Sequence, residues 1–153
     1  MTTLLDTNIL ARAAQPAHPM YRTASDAVDE LLRQRDMLCF VPQSIYEFWV
    51  VATRPAAQNG LGMAPAQALA ELARLQALCT LLGETPAVLT QWQQLVIQLQ
   101  VRGKSAHDAH LVAAMIVHGV GRILTFNVAD FRRYQNITVL DPHQVAASRP
   151  PTP

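Results

Sequence analysis

Short apolar runs alternate along this chain with longer stretches of helical period. Leu4-Leu5, Leu38 to Val41, Cys79 to Leu82, Arg122 to Phe126 and Ile137 to Leu140 read as strands. Asn8 to Ala14, Tyr21 to Gln34, Gln43 to Thr53, Pro65 to Gln76, Pro86 to Gln100 and Ala106 to His118 read as helices. Leu111 to Val117 is apolar all round, as in a helix packed between a sheet and its neighbours. Strand followed by helix, repeated, implies parallel strands joined by crossover helices. The predicted fold class is therefore α/β, a three-layer α/β/α sandwich around a central, mostly parallel sheet. Arg54 to Pro65, with two prolines and two glycines, is the longest predicted loop. One domain is expected over residues 1–142. Residues 143–153 are expected to be a C-terminal tail, its Ser148 to Pro153 end without regular structure.

Composition narrows this picture. A chain of 153 residues is about one domain and buries about 70% of its unfolded surface. With 50% hydrophobic and 15% charged residues it is neither disordered nor fibrous. Twelve Lys+Arg against eleven Asp+Glu leave a net charge of +1, so any nucleic-acid binding rests on local placement of charge. Lys104 is the only lysine. The arginine bias suits planar recognition of phosphate, although a GC-rich genome produces the same bias. Cys39 and Cys79 lie in apolar runs and read as small buried hydrophobes of a reducing compartment. The N-terminus has neither a basic region nor a long apolar one, and Leu111 to Val117 is too short to span a bilayer. A soluble, cytoplasmic protein is expected.

Four acidic residues stand out against the predicted architecture. Asp6 ends the first strand, Glu47 is expected in the first turn of the helix after the second, and Asp108 in the first turn of the apolar helix. Asp130 follows the end of the Arg122 to Phe126 strand. In an open parallel sheet, strand C-termini and the following helix N-termini share the edge where ligands bind. Capping offers a competing explanation for each acid taken singly. Ser44 to Glu47 and Ser105 to Asp108 have capping-box spacing, and Asp6 and Asp130 are ordinary N-cap candidates. Capping alone does not require all four at one edge, and Glu47 lies between Ile45-Tyr46 and Phe48-Trp49-Val50, where an unpaired carboxylate is costly. Carboxylates about 5 Å apart repel by roughly 3 kcal/mol per pair at an effective dielectric near 20. Helix dipoles offset only about 0.3–1 kcal/mol each. An oxygen-only cluster of this kind suits Mg²⁺ or Mn²⁺.

Four ordered segments carry a resemblance to the PIN domain family, and within it to the VapC-type toxins of bacterial toxin–antitoxin pairs. They are Leu4-Leu5-Asp6-Thr7-Asn8-Ile9-Leu10, Pro42-Gln43-Ser44-Ile45-Tyr46-Glu47-Phe48, His107-Asp108-Ala109-His110-Leu111-Val112-Ala113-Ala114 and Leu124-Thr125-Phe126-Asn127-Val128-Ala129-Asp130-Phe131. The resemblance runs from Thr3 to about Pro142. It implies a Mg²⁺- or Mn²⁺-dependent ribonuclease, a cognate antitoxin protein and a homodimer. By position it implies that Asp6, Glu47 and Asp108 hold the metal, with Asp130 a fourth catalytic acid. Many family members have aspartate where this chain has Asn127, so Asn127 and Asp130 compete for the fourth place. Thr7, Asn8, Ser44 and Asn127 are candidates to hydrogen-bond the carboxylates and hold their rotamers. Arg12, Arg54, Arg102, Lys104, Arg132 and Arg133 are candidates to meet RNA phosphates, a solvated surface charge being the competing explanation for each.

Other motifs carry less. Gly103-Lys104-Ser105 resembles the end of a P-loop, but Gln98 stands where its first glycine is required and no strand precedes it. His107 and His110 share a helical face without the cysteine or third histidine of a zinc site. Trp49 and Trp92 are expected in the core rather than as base-stacking platforms. Two alternatives to the ribonuclease remain: a phosphatase of the haloacid dehalogenase type, which expects aspartate where Asn8 stands, and a non-catalytic metal- or RNA-binding PIN module.

Overall fold

The computed structural model describes residues 1–149. Strand β1 (Thr2–Leu5) is followed by α1 (Thr7–Ala13) and α2 (Tyr21–Arg33), and β2 (Met37–Phe40) by α3 (Pro42–Thr53) and α4 (Pro65–Leu78). Next come β3 (Thr80–Leu81), α5 (Pro86–Gln98), α6 (Ser105–Val117), β4 (Arg122–Leu124), α7 (Val128–Phe131), β5 (Thr138–Leu140) and α8 (Pro142–Ala147). The five strands are all parallel, in the order β3-β2-β1-β4-β5. This is the predicted α/β/α sandwich.

Strand alternation divides the core into two layers. Leu4, Cys39 and Ile123 face α5, α6 and α7, packing with Val112, Met115 and Phe131. Leu5, Phe40 and Leu124 face α1 to α4, packing with Ile9, Leu10, Phe48 and Leu72. Helix α6 buries Leu111 to Met115 almost completely, as its apolar sequence requires. Proline opens α3, α4, α5 and α8, where its fixed φ suits the first helical position and its missing N–H costs nothing. No helix among the described residues is long and apolar enough to cross a membrane.

Several local expectations differ from what is observed. Residues 143–147 belong to α8 rather than to a tail. The Asp141 carboxylate caps this helix by accepting from His143 N at 2.9 Å, and Val145 and Ala146 pack against the core. Beyond it, Arg149 pairs with Asp26 at 2.8 Å. The expectation for residues 150–153 lies outside the described residues. The long loop contains a short 3₁₀ turn, Ala56–Gln58.

Neither capping box forms. Helix α3 starts at Pro42, so Ser44 is already helical and buried with its hydroxyl unpartnered, and Glu47 sits in the second turn. Lys104 precedes α6 without a side-chain cap. Asn127, not Asp130, occupies the N-cap position of α7.

Candidate active site

The chain winds outward from β1 through β2 to β3, then crosses back to place β4 on the other side of β1. That reversal opens a crevice beyond the carboxyl ends of β1 and β4, where open parallel sheets bind ligands. The register pairs Leu5 with Leu124, which sets Asp6 beside Thr125 one residue further on. Asp6 is only 7% exposed. Its Oδ2 accepts from Thr125 Oγ1 at 2.6 Å and from Asn8 Nδ2 at 2.8 Å, and its Oδ1 from Thr7 N at 2.7 Å. Asp6 therefore caps α1, as its position suggested, and sits in the crevice as well.

Every donor to Asp6 is neutral. Burial raises its pKa, the hydrogen bonds from Thr125 and Thr7 lower it, and the charges of Asp108 and Glu47 raise it again, leaving it at about 6. Asp108, half-buried on α6, is also raised, first by burial and then by Asp130 and Glu47, against the opposing charges of His107 and Arg133. Asp108 thus lies within electrostatic reach of Asp6, Glu47 and Asp130.

Glu47 is held from three sides. Its Oε2 accepts from Thr7 Oγ1 at 2.8 Å, and its Oε1 lies 2.8 Å from Gln43 Nε2 and 3.1 Å from His107 Nδ1. Gln43 Nε2 also donates to the His107 carbonyl at 3.2 Å, and Gln43 Oε1 lies 2.5 Å from His110 Nδ1. The other ring nitrogen of His110 meets Glu84 Oε1 at 3.0 Å. The two imidazoles are thus engaged with side chains of the crevice wall. Among the described residues no three carboxylates, imidazoles or thiols stand close enough to share one ion directly.

A family model described as the PIN domain matches residues 3–137. The chain belongs to the PIN domain family. This PIN domain is 26% identical over 151 residues to ribonuclease VapC48 of Mycobacterium tuberculosis, covering 93% of this chain and 98% of that protein. Its fold is similar to VapBC2 from Rickettsia felis, a structure solved with a DNA fragment from its promoter. The TM-score is 0.67 at 16% identity, over 92% of this chain and 98% of that one. It is also similar to VapC20 of Mycobacterium tuberculosis, a sarcin-ricin loop cleaving toxin. There the TM-score is 0.60 at 18% identity, over 79% and 86% of the two chains.

The remaining candidates of the PIN domain divide sharply. Thr7 and Asn8 hold carboxylates, and Asn8 Oδ1 also accepts from Phe126 N at 3.2 Å. Asn127 is exposed and joins the network through its backbone N–H, which donates to Thr125 Oγ1 at 3.0 Å. Arg12 turns to Gln15, and Arg54 to the Asn59 carbonyl within its own loop, so neither is presented to the crevice by these contacts. Arg102, Lys104 and Arg132 are exposed, and it is Arg133 whose charge reaches Asp108.

Three participants escaped the sequence reading: Thr125, Gln43 and Glu84. Thr125 carried a usable signal, a polar β-branched residue just past a strand end in the segment bearing Asp130. Gln43 lies one turn before Glu47, a spacing that puts the two on one helix face. Glu84 had none, since it lies in the loop after β3 and meets His110 of α6 from 26 residues away.

Proposed function

We propose that this PIN domain is a Mg²⁺- or Mn²⁺-dependent endoribonuclease hydrolysing RNA phosphodiester bonds, the toxin of a toxin–antitoxin pair acting in the cytoplasm. Asp6 carries the reading: a carboxylate 7% exposed, at the switch point of a parallel sheet, held by neutral donors only. Burial pushes its pKa up to about 6, and no cation in its hydrogen-bonding shell offsets that. A hard divalent ion matches this donor set. Mg²⁺ takes one or two carboxylates and keeps several waters, so Asp6 and Asp108 would hold it, with Glu47 bound directly or through water. Such an ion supplies an activated water and neutralises the phosphate.

The chain's own residues do the rest. Thr125, Asn8 and Thr7 fix the Asp6 carboxylate, and Thr7 with Gln43 fixes Glu47. Arg133 is a candidate for the RNA phosphate, being the arginine whose charge acts on Asp108. Asp130, which raises Asp108, is a better fourth acid than the uncharged Asn127. Tyr46 and Val50, 69% and 57% exposed one turn apart on α3, present an apolar stripe suited to a homodimer, and Leu89, 54% exposed on α5, lines the same groove as Tyr46. Kinship with VapC48 and the fold of VapBC2 support a cognate antitoxin as partner.

The test is cleavage of a labelled RNA pool with Mn²⁺, with EDTA, and by Asp6→Asn and Asp108→Asn. Cleavage that requires the metal and is lost in both variants is expected. Cleavage that survives in the variants is contamination and overturns the assignment. RNA binding without cleavage points to the non-catalytic module, and hydrolysis of p-nitrophenyl phosphate in place of RNA to the phosphatase.

A further inference from the structure

Glu47 lies at the mouth of the crevice, its side chain 34% exposed, yet both of its oxygens are engaged. Thr7 Oγ1 from α1 holds one oxygen, and Gln43 Nε2, one turn earlier on α3, holds the other at 2.8 Å. An amide can be turned over to exchange its nitrogen and oxygen. Here the exchange is blocked on both sides. The Glu47 carboxylate and the His107 carbonyl only accept, so they require the Gln43 nitrogen. The amide oxygen is thereby left to face His110 Nδ1 at 2.5 Å, a contact that requires an N–H there. His110 is in turn set by Glu84, whose Oε1 lies 3.0 Å from Nε2. The series Glu84, His110, Gln43, Glu47 joins the loop after β3, helix α6 and helix α3.

We infer that Gln43 and His110 are positioning residues for Glu47: an imidazole–amide strut, anchored on Glu84, that fixes the carboxylate for metal binding. The inference deepens the proposed metal-dependent activity and rests on it. A strut that merely tied α3 to α6 would change stability when cut and leave ion affinity alone. A strut that orients a ligand moves ion affinity and kcat, and leaves KM for RNA nearly untouched. Removing the partners of metal ligands typically lowers metal affinity or activity by about 10- to 100-fold.

Calorimetric titration with Mn²⁺, alongside RNA cleavage by the full chain, separates the two. Gln43→Leu and His110→Leu are each expected to weaken Mn²⁺ binding and lower kcat by about 10- to 100-fold, with KM within about 3-fold. The double variant is expected to be no worse than Gln43→Leu, because members of one series act non-additively. His110→Asn, whose amide nitrogen can stand in for Nδ1–H, is expected to recover most of the affinity lost in His110→Leu. Glu84→Gln, at a half-exposed position, carries the test if Gln43→Leu does not fold, with a smaller loss in the same two quantities. Wild-type Mn²⁺ affinity in Gln43→Leu, or losses that multiply in the double variant, overturns the inference. Wild-type protein without Mn²⁺ binding that disappears in Asp6→Asn overturns the metal-dependent reading, and the strut with it.

Discussion

Two buried acids at opposite edges of the sheet are treated in opposite ways. Asp36, just before β2, is 7% exposed, the same as Asp6. Arg122 and the Met1 ammonium pair with it, and Thr3 Oγ1 donates to it at 3.0 Å. Glu30 on α2, 1% exposed, shows the same pattern. Arg33 grips both its oxygens at 2.7 and 2.6 Å, Gln34 adds a third donor, and its pKa falls to about 2. Asp6 has donors in similar number but no cation, and its pKa rises to about 6. A fold that pairs its structural carboxylates with arginine leaves this one charged and uncompensated. Stability alone does not account for that, because an unpaired buried charge is a cost. The cation site proposed above accounts for it.

The contrast can be broken most directly at Asp6. Asp6→Asn is expected to lower Mn²⁺-dependent RNA cleavage by at least about 100-fold, the scale of losing one pre-organised electrostatic group. Its metal-free denaturation midpoint at pH 7.5 should fall little or not at all. A pKa pushed up to about 6 corresponds to roughly 3 kcal/mol carried against folding; the amide removes that cost, and its imperfect hydrogen bonds offset part of the gain. Arg122→Leu should do the reverse. It leaves buried Asp36 with only the exposed Met1 ammonium and Thr3, costs about 3 kcal/mol by urea denaturation, and leaves Mn²⁺ affinity within about 3-fold of wild type. Equal destabilisation by the two substitutions would remove the contrast.

Acidity sharpens the comparison because the two kinds of site titrate with opposite sign. Asp6 has its folded pKa raised, so its cost develops as pH rises from about 4 to about 6 and is fully present above that. Glu30 has its folded pKa lowered, so its contribution is present above the ordinary glutamate range and is lost as pH falls towards 2. Mn²⁺ is therefore expected to raise the thermal midpoint more at pH 7.5 than at pH 5, and Asp6→Asn to abolish that difference. A shift equal at both pH values would argue that the ion binds elsewhere.

Smaller effects follow from the neutral shell. Thr125→Val keeps shape but removes the 2.6 Å hydrogen bond to Asp6 and the acceptor for Asn8 and Asn127. It should cost about 1–2 kcal/mol of stability and weaken Mn²⁺ binding, both measurable by calorimetry. Arg149→Ala, which cuts the exposed pairs with Asp26 and Asp29, should cost no more than about 0.5 kcal/mol.

Much of the molecule was legible in its residues. Five apolar runs became the five strands, and six helical patterns became α1 to α6, because burial on one or both faces imposes a period that composition displays. Asp6 and Asp108 could be placed at one edge of the sheet because parallel topology carries every strand C-terminus there. The short elements were hidden. α7 and α8 span four and six residues, less than two helical turns, and their formation depends on packing rather than on propensity.

What the sequence by itself determined was the layered α/β fold, its parallel sheet and the membership of the acidic edge, since each follows from local pattern and chain order. Only the tertiary structure decided how those acids are held. The hydrogen bond from Thr125 to Asp6 closes 119 residues of chain and that from Thr7 to Glu47 closes 40. The contact between His110 and Gln43 spans 67. Such contacts depend on sheet register and helix packing to within an ångström, and no period in the sequence encodes that distance. Likewise, Asp6 and Glu30 are both acidic residues next to a leucine, and only their three-dimensional surroundings give Glu30 a cation and Asp6 neutral donors alone.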